Sequence, residues 1–166
     1  MNVYIIESDQ FLAADVTNVL REAFQSHEII AGQESGFAIS DSLVICGGFH
    51  GIAASPRALS FFSSYVTEYA KELRERRSKD GMNTLENYEN DQIALTRHAL
   101  EQDLKVHYVD RCVYASGTWF TDQTYAYTCP TPMVLHNNYI VGNSAKIIRA
   151  KHVGHWYLSQ DSMQCK

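Results

Sequence analysis

Short β-branched runs alternate with amphipathic helical stretches along this chain, and that alternation limits the fold more than any single motif does. Ser55-Pro56 reads as a helix start, with serine at the cap and proline in the first turn. Leu59, Phe62, Val66, Tyr69 and Leu73 follow at helical spacing, so a helix is predicted to about Arg77, stopped by Lys79-Asp80-Gly81. Asn90 predicts the cap of a second helix over 91–102, with Ile93, Ala94, Leu100 and His98 turned inward. Asp15 and Asn143 predict further helices, to about Gln25 and about Lys151, with Trp156 packing after the last. Strands are predicted at 3–6, 28–31, 42–45, 49–53, 105–109, 112–115 and 133–135, the first of them buried. Cys46-Gly47-Gly48 is expected to break the pattern, and residues 117–132 read as a loop. The fold class is therefore α/β, a mixed sheet flanked by helices in a single domain over 1–166.

Several function classes fall away. A net charge of −5 argues against nonspecific binding to nucleic acid, which needs a basic face. The longest stretch without Lys, Arg, Asp or Glu, 123–145, holds two prolines and several polar residues, so no membrane segment is expected. Met1 to Ile6 has no basic region before its apolar run and does not read as a signal peptide. The four cysteines form no C-x-x-C pair, which disfavours a zinc knuckle. They read as buried thiols, with Cys112 and Cys129 the pair that a disulfide would use.

Four groups of residues carry chemistry. Glu7-Ser8-Asp9 follows a strand, and two carboxylates at a strand's carboxyl end suit Mg²⁺ or Mn²⁺. A polar strand exit explains the same residues without a metal. His136 stands at another strand end, with Gly142 and Lys146 after it; imidazole completes a manganese shell, and a lysine at a helix start holds phosphate. A satisfied histidine and a surface lysine are the plainer reading. Asp91 and Gln92 open a helix, where capping alone accounts for them. Gly47 and Gly48 let another group approach the backbone, or simply form a tight turn. No G-x-S-x-G elbow and no Gly-rich Lys-Ser/Thr phosphate loop is present.

In order, these motifs are strand–Glu-Ser-Asp, Gly-Gly-Phe before a long helix, Asn-Asp-Gln, and His136-Asn137-Asn138 followed by Gly142 and Lys146. That order resembles the nucleotide-diphospho-sugar transferases of the GT-A glycosyltransferase fold, in the arabinosyl- and xylosyltransferase-like branch. The resemblance implies that Glu7, Asp9 and His136 hold Mn²⁺ or Mg²⁺, and that Gly142 and Lys146 meet the donor diphosphate. It also implies that Gly47 and Gly48 line the donor sugar, and that Asp91 and Gln92 flank the reacting carbon. Glu7 stands where the family has Asp, and Cys46 where Asn or Thr is common. The implied reaction moves a sugar, with retention, from a nucleotide-diphosphate donor to a glycan or protein acceptor. In that fold a nucleoside-binding half precedes the metal motif. A motif at residue 7 predicts that this half is missing or supplied by a partner chain.

Two other functions fit the same residues: a noncatalytic carbohydrate-binding module, and a metal-dependent phosphoester hydrolase. The compartment stays open between the Golgi lumen, for part of a longer secretory protein, and the cytoplasm.

Overall fold

The computed structural model describes residues 2–39, 42–79 and 90–155. The predicted helix stop at Asp80-Gly81 and the packing of Trp156 lie outside them. In chain order the elements are β1 (Val3–Ile6), β2 (Gln10–Leu12), α1 (Thr17–Ala23), β3 (Ile29–Ile39), β4 (Ser42–Ile52), α2 (Pro56–Lys79) and α3 (Asp91–Glu101). There follow β5 (Val106–Tyr108), β6 (Tyr114–Ala115), a 3-10 turn (Gly117–Phe120), α4 (Gln123–Thr128), β7 (Val134–His136) and α5 (Asn143–His152). They form two compact units: Met1–Glu7 with Val16–Asp110, and Ser8–Asp15 with Arg111–Lys166. Each has a mixed sheet with helices, as the α/β reading expects.

The first unit carries a four-stranded sheet in the order β1-β4-β3-β5. β4 is antiparallel to β1 and β3, and β5 is parallel to β3. The helical periodicity of α2 and α3 has a structural consequence: Phe61, Tyr65, Ala94, Leu95 and Ala99 form one core with Ile29, Ala31 and Ile45 of the sheet. A fully buried side chain such as Phe61 or Ile45 contributes about 1.5–3 kcal/mol through apolar burial. Both predicted caps form, Ser55 Oγ accepting from Ala58 N (3.1 Å) and Asn90 Oδ1 from Ile93 N (2.9 Å). His98 is buried as expected, its Nδ1 lying 3.4 Å from Glu68, while Arg97 reaches Glu72 at 3.2 Å. These pairs tie α3 to α2 at the edge of the shared core.

Four expectations need correction here. The core-facing sides of α2 and α3 are not the predicted ones: Leu59, Val66, Leu73 and Leu100 are 36–54% exposed, and Phe61, Tyr65, Leu95 and Ala99 take the core side. β1 is not buried: Val3, Tyr4, Ile5 and Ile6 are 36–52% exposed, because this edge strand pairs only with β4. Asp15 does not cap α1, which begins after Val16 with no side-chain cap. Cys46-Gly47-Gly48 does not end a strand. β4 continues from Ser42 to Ile52, and absorbs the glycines in a bulge where Cys46 to Phe49 lie opposite Gly32 alone.

The second unit is smaller, with a three-stranded sheet in the order β2-β7-β6. β7 pairs antiparallel with β2 and parallel with β6. Its core joins Ala115, Tyr125, Cys129 and Leu135 to Phe11, Trp119 and Phe120. The stretch predicted as a loop holds α4, capped by Asp122, whose Oδ1 accepts from Tyr125 N at 3.0 Å. Cys112 and Cys129 form a disulfide across a sequence separation of 17, so the preference for free thiols is overturned for this pair. Cys46 is a buried free thiol.

Candidate functional site

Within the first unit the β4 bulge meets the start of α3. His50 closes the bulge: its ring Nδ1 lies 3.2 Å from the Cys46 carbonyl, and burial holds its pKa below the ordinary histidine value despite that bond and the charge of Asp91. The bulge presents Gly47 N to Gln92 Oε1 at 3.4 Å. A Cβ at Gly47 would come within 3.2 Å of the Gln92 Cβ, so glycine is what lets the helix start approach the strand. At Gly48 an added methyl would overlap the Glu7 carboxylate. Glu7 is held there by its own backbone, whose N–H donates to the Gly48 carbonyl at 2.9 Å.

Two residues not singled out from sequence set this arrangement. Thr96, 1% exposed, accepts from Ile45 N at 3.0 Å and donates to the Gln92 carbonyl at 2.7 Å. Tyr65 donates its hydroxyl to the Asp91 carbonyl at 3.1 Å. The first turn of α3 is thus fixed to β4 and α2. Asp91 Oδ1 accepts from the Gln92 N–H at 2.9 Å. The structure therefore brings Gly47, Asp91 and Gln92 together, and Glu7 onto Gly48.

Within the second unit Asp9 is the centre. The pairing of β2 with β7 sets Gln10 opposite His136, and Asn137 N donates to the Asp9 carbonyl at 2.9 Å. That register places Asp9 Oδ1 3.1 Å from His136 Nε2, while Lys146 Nζ donates to Asp9 Oδ2 at 2.6 Å. Burial of Asp9 opposes ionisation and is the largest single influence. The Lys146 hydrogen bond and the charges of His136 and Lys146 together outweigh it, so the carboxyl lies below its ordinary range.

α5 is anchored by groups the sequence motifs did not mark. Asn137, 2% exposed, donates to the Lys146 carbonyl at 2.9 Å and accepts from Arg149 Nε at 2.6 Å. Arg149 also donates to the Asn138 carbonyl at 2.5 Å, and its guanidinium lies over Phe120, 4.1 Å from the ring centroid. Tyr114 was likewise unmarked, and its hydroxyl sits 2.7 Å from His136 Nδ1 in the buried interior. A buried polar side chain beside a strand-end histidine has no signature in sequence spacing. Gly142 precedes α5 at φ 92°, a backbone region that favours glycine, and its carbonyl accepts from Lys146 N at 3.1 Å. A Cβ added there would meet nothing within 4 Å among the described residues.

The donor set fits a divalent ion. Adjacent ligands on an octahedral Mg²⁺ with bonds near ~2.1 Å stand about 3 Å apart. The Asp9 Oδ1 to His136 Nε2 separation has that value. Glu7 stands two residues before Asp9 in the chain, in the other unit.

The profile of the nucleotide-diphospho-sugar transferase family matches residues 1–149. The chain belongs to that family. No curated protein sequence aligns significantly with this family member. Among solved structures it is similar to the glycosyltransferase GlyE of Streptococcus pneumoniae TIGR4, at 14% identity and a TM-score of 0.48. The similarity covers 97% of this chain but 44% of GlyE, so the chain spans less than half the length of that protein. No helix among the described residues is long and apolar enough to cross a membrane.

Proposed function

We propose that this chain forms part of a metal-dependent glycosyltransferase that moves a sugar from a nucleotide-diphosphate donor to a glycan or protein acceptor. The observation that carries the reading is Asp9, whose two carboxylate oxygens meet His136 and Lys146 separately. Asp9 and His136 would hold Mn²⁺ or Mg²⁺. The ion would supply positive charge to the diphosphate. Lys146 acts on the same group. As the bond from the sugar's anomeric carbon to the leaving phosphate oxygen breaks, negative charge grows on that oxygen. An ammonium placed beforehand stabilises this charge more than it stabilises the bound donor. Lys146 donates to Asp9, which keeps its ammonium oriented and at low reorganisation cost.

The remaining roles follow from the first unit. Gly47 and Gly48 leave room for the donor sugar at the bulge, while Gly142 allows backbone approach to the diphosphate. Asp91 and Gln92, at an exposed helix start, orient the acceptor or steady the oxocarbenium-like sugar. Retention follows from the family branch that the motifs resemble. Both units are read as parts of one transferase domain. The Cys112–Cys129 disulfide favours an oxidising compartment, hence the secretory lumen over the cytoplasm.

Calorimetric titration of the full chain with UDP tests the reading. Mn²⁺-dependent binding is expected in the wild type, with at least tenfold weakening in Asp9→Ala and His136→Ala. UDP affinity that is indifferent to Mn²⁺ and to both substitutions would remove the metal-site proposal. Glycan binding without metal or nucleotide would instead favour a noncatalytic carbohydrate-binding module.

A further inference from the structure

We propose that Asn137 is a positioning residue whose amide fixes the main chain of Lys146, and so sets that lysine beside Asp9 to meet the donor diphosphate. The inference rests on the proposed function above and extends it to a residue that would touch neither ion nor nucleotide. Asn137 is 2% exposed and directly follows His136, the last residue of β7. Its backbone N–H donates to the Asp9 carbonyl at 2.9 Å, which carries the β2–β7 pairing one step past Gln10 and His136. Its side chain engages α5: Nδ2 donates to the Lys146 carbonyl at 2.9 Å, and Oδ1 accepts from Arg149 Nε at 2.6 Å. One residue thus holds the main chain at both ends of the contact between Lys146 Nζ and Asp9 Oδ2, which measures 2.6 Å.

The helix itself supplies little to fix that lysine. α5 starts after Gly142 without a side-chain cap, and of its residues only Ala150 is buried. The approach to it leaves Val141 96% exposed. A partly exposed ion pair must offset the entropy of holding a long lysine side chain. Anchoring Lys146 at its own carbonyl confines the moving part to that side chain, so Nζ can swing from Asp9 to a phosphate oxygen while α5 stays in place. Asparagine is what the two partners on α5 require. A main-chain carbonyl only accepts and a guanidinium only donates, so the anchoring group must donate to one and accept from the other. Aspartate would satisfy Arg149 but not the Lys146 carbonyl, and alanine would satisfy neither. Lys146 and Arg149 stand three residues apart, on one face of α5. Arg149 is steadied in turn by the Asn138 carbonyl at 2.5 Å and by the Phe120 ring beneath its guanidinium.

Two readouts on the full chain test this. Calorimetry gives UDP affinity in the presence of Mn²⁺ for the wild type, Asn137→Ala, Lys146→Ala and the double variant. Asn137→Ala is expected to weaken UDP binding roughly 2–30-fold. It should cost little more in the Lys146→Ala background, because the effect passes through the lysine. A role in folding alone would leave the two losses additive. Asn137→Asp keeps the volume and the Arg149 bond, and serves if Asn137→Ala folds poorly. Its added charge acts on UDP with or without Lys146, so only the part of its effect that disappears in the Lys146→Ala background reports positioning. The second readout needs no nucleotide: the ¹⁵N signal of the Lys146 ammonium, visible while Asp9 holds the group and its protons exchange slowly, should fade in both Asn137 variants. Additive losses in the cycle, or an ammonium signal unchanged by both substitutions, would overturn the inference. A wild type whose ammonium signal depends on Asn137, yet which binds no UDP with Mn²⁺, would instead defeat the nucleotide reading and leave Asn137 positioning Lys146 on Asp9 alone.

Discussion

At the scale of single residues, two glycines differ in what an added methyl group would displace. At Gly48 it would meet the flexible end of Glu7, whereas at Gly117 it would meet the Asn138 backbone carbonyl, while Gly117 N already donates to Asn138 Oδ1 at 2.5 Å. Side chains yield cheaply and backbone does not. Gly117→Ala is therefore expected to lose about 1–3 kcal/mol in urea denaturation, whereas Gly48→Ala should stay within about 1 kcal/mol of wild type. Equal stability losses in the two variants would contradict this reading. His50 provides a pH prediction. Burial first, against opposing bonds to Cys46 and Gly47 and the charge of Asp91, lowers its folded pKa below 6.5. Its full contribution is thus present above the unfolded value, and stability falls as pH drops from about 6.5 toward the folded pKa, where the unfolded chain binds the proton more readily. His50→Gln should be less stable than wild type at pH 7.5, with the gap narrowing by pH 5. A gap that widens on acidification would reverse the sign of this argument.

At the scale of elements, legibility followed length and periodicity. α2 and α3 were readable as helices because each pairs a cap with apolar residues at helical spacing, but their core-facing sides were not, since Leu59, Val66, Leu73 and Leu100 lie exposed while Phe61, Tyr65 and Leu95 are buried. β2 and α4 are three and six residues long, too short for a period to emerge, and were missed. The bulge in β4 looked like a break because paired glycines signal both; only its pairing with β1 and β3 distinguishes them. The metal-motif residues were likewise legible as types, and the register of β2 against β7 supplies what sequence could not, the meeting of Asp9 with His136. Thr96 shows how much an element junction depends on one unremarkable residue. Thr96→Val keeps the volume but strands the buried Ile45 N–H, with an expected loss of about 1–3 kcal/mol. Since Thr96 also holds the Gln92 carbonyl, affinity for an intact UDP-sugar should fall in the same variant while affinity for UDP alone does not, both read by titration at a temperature where it remains folded. Unaltered stability would mean that β4 and α3 are joined by packing alone.

At the scale of the whole molecule, the two units differ in how they resist unfolding. The first has an extended core on a four-stranded sheet, and its free cysteine is buried. The second has three short strands and a smaller core, with Cys112 and Cys129 within or against it. A small core leaves less apolar burial to offset chain entropy, and a cross-link reduces the entropy of the unfolded chain instead. For a separation of 17 residues the loop-closure estimate is about 3 kcal/mol. Reduction, or Cys112→Ser with Cys129→Ser, is therefore expected to lower stability by about 2–4 kcal/mol. Hydrogen exchange should place the loss in β6, α4, β7 and α5, with α3 and β4 less affected. Because β6 and β7 carry Tyr114 and His136, Mn²⁺-dependent nucleotide binding should weaken on reduction before the first unit's core opens. Equal loosening of α3 and β7 would indicate that the cross-link stabilises the whole chain rather than the unit containing it.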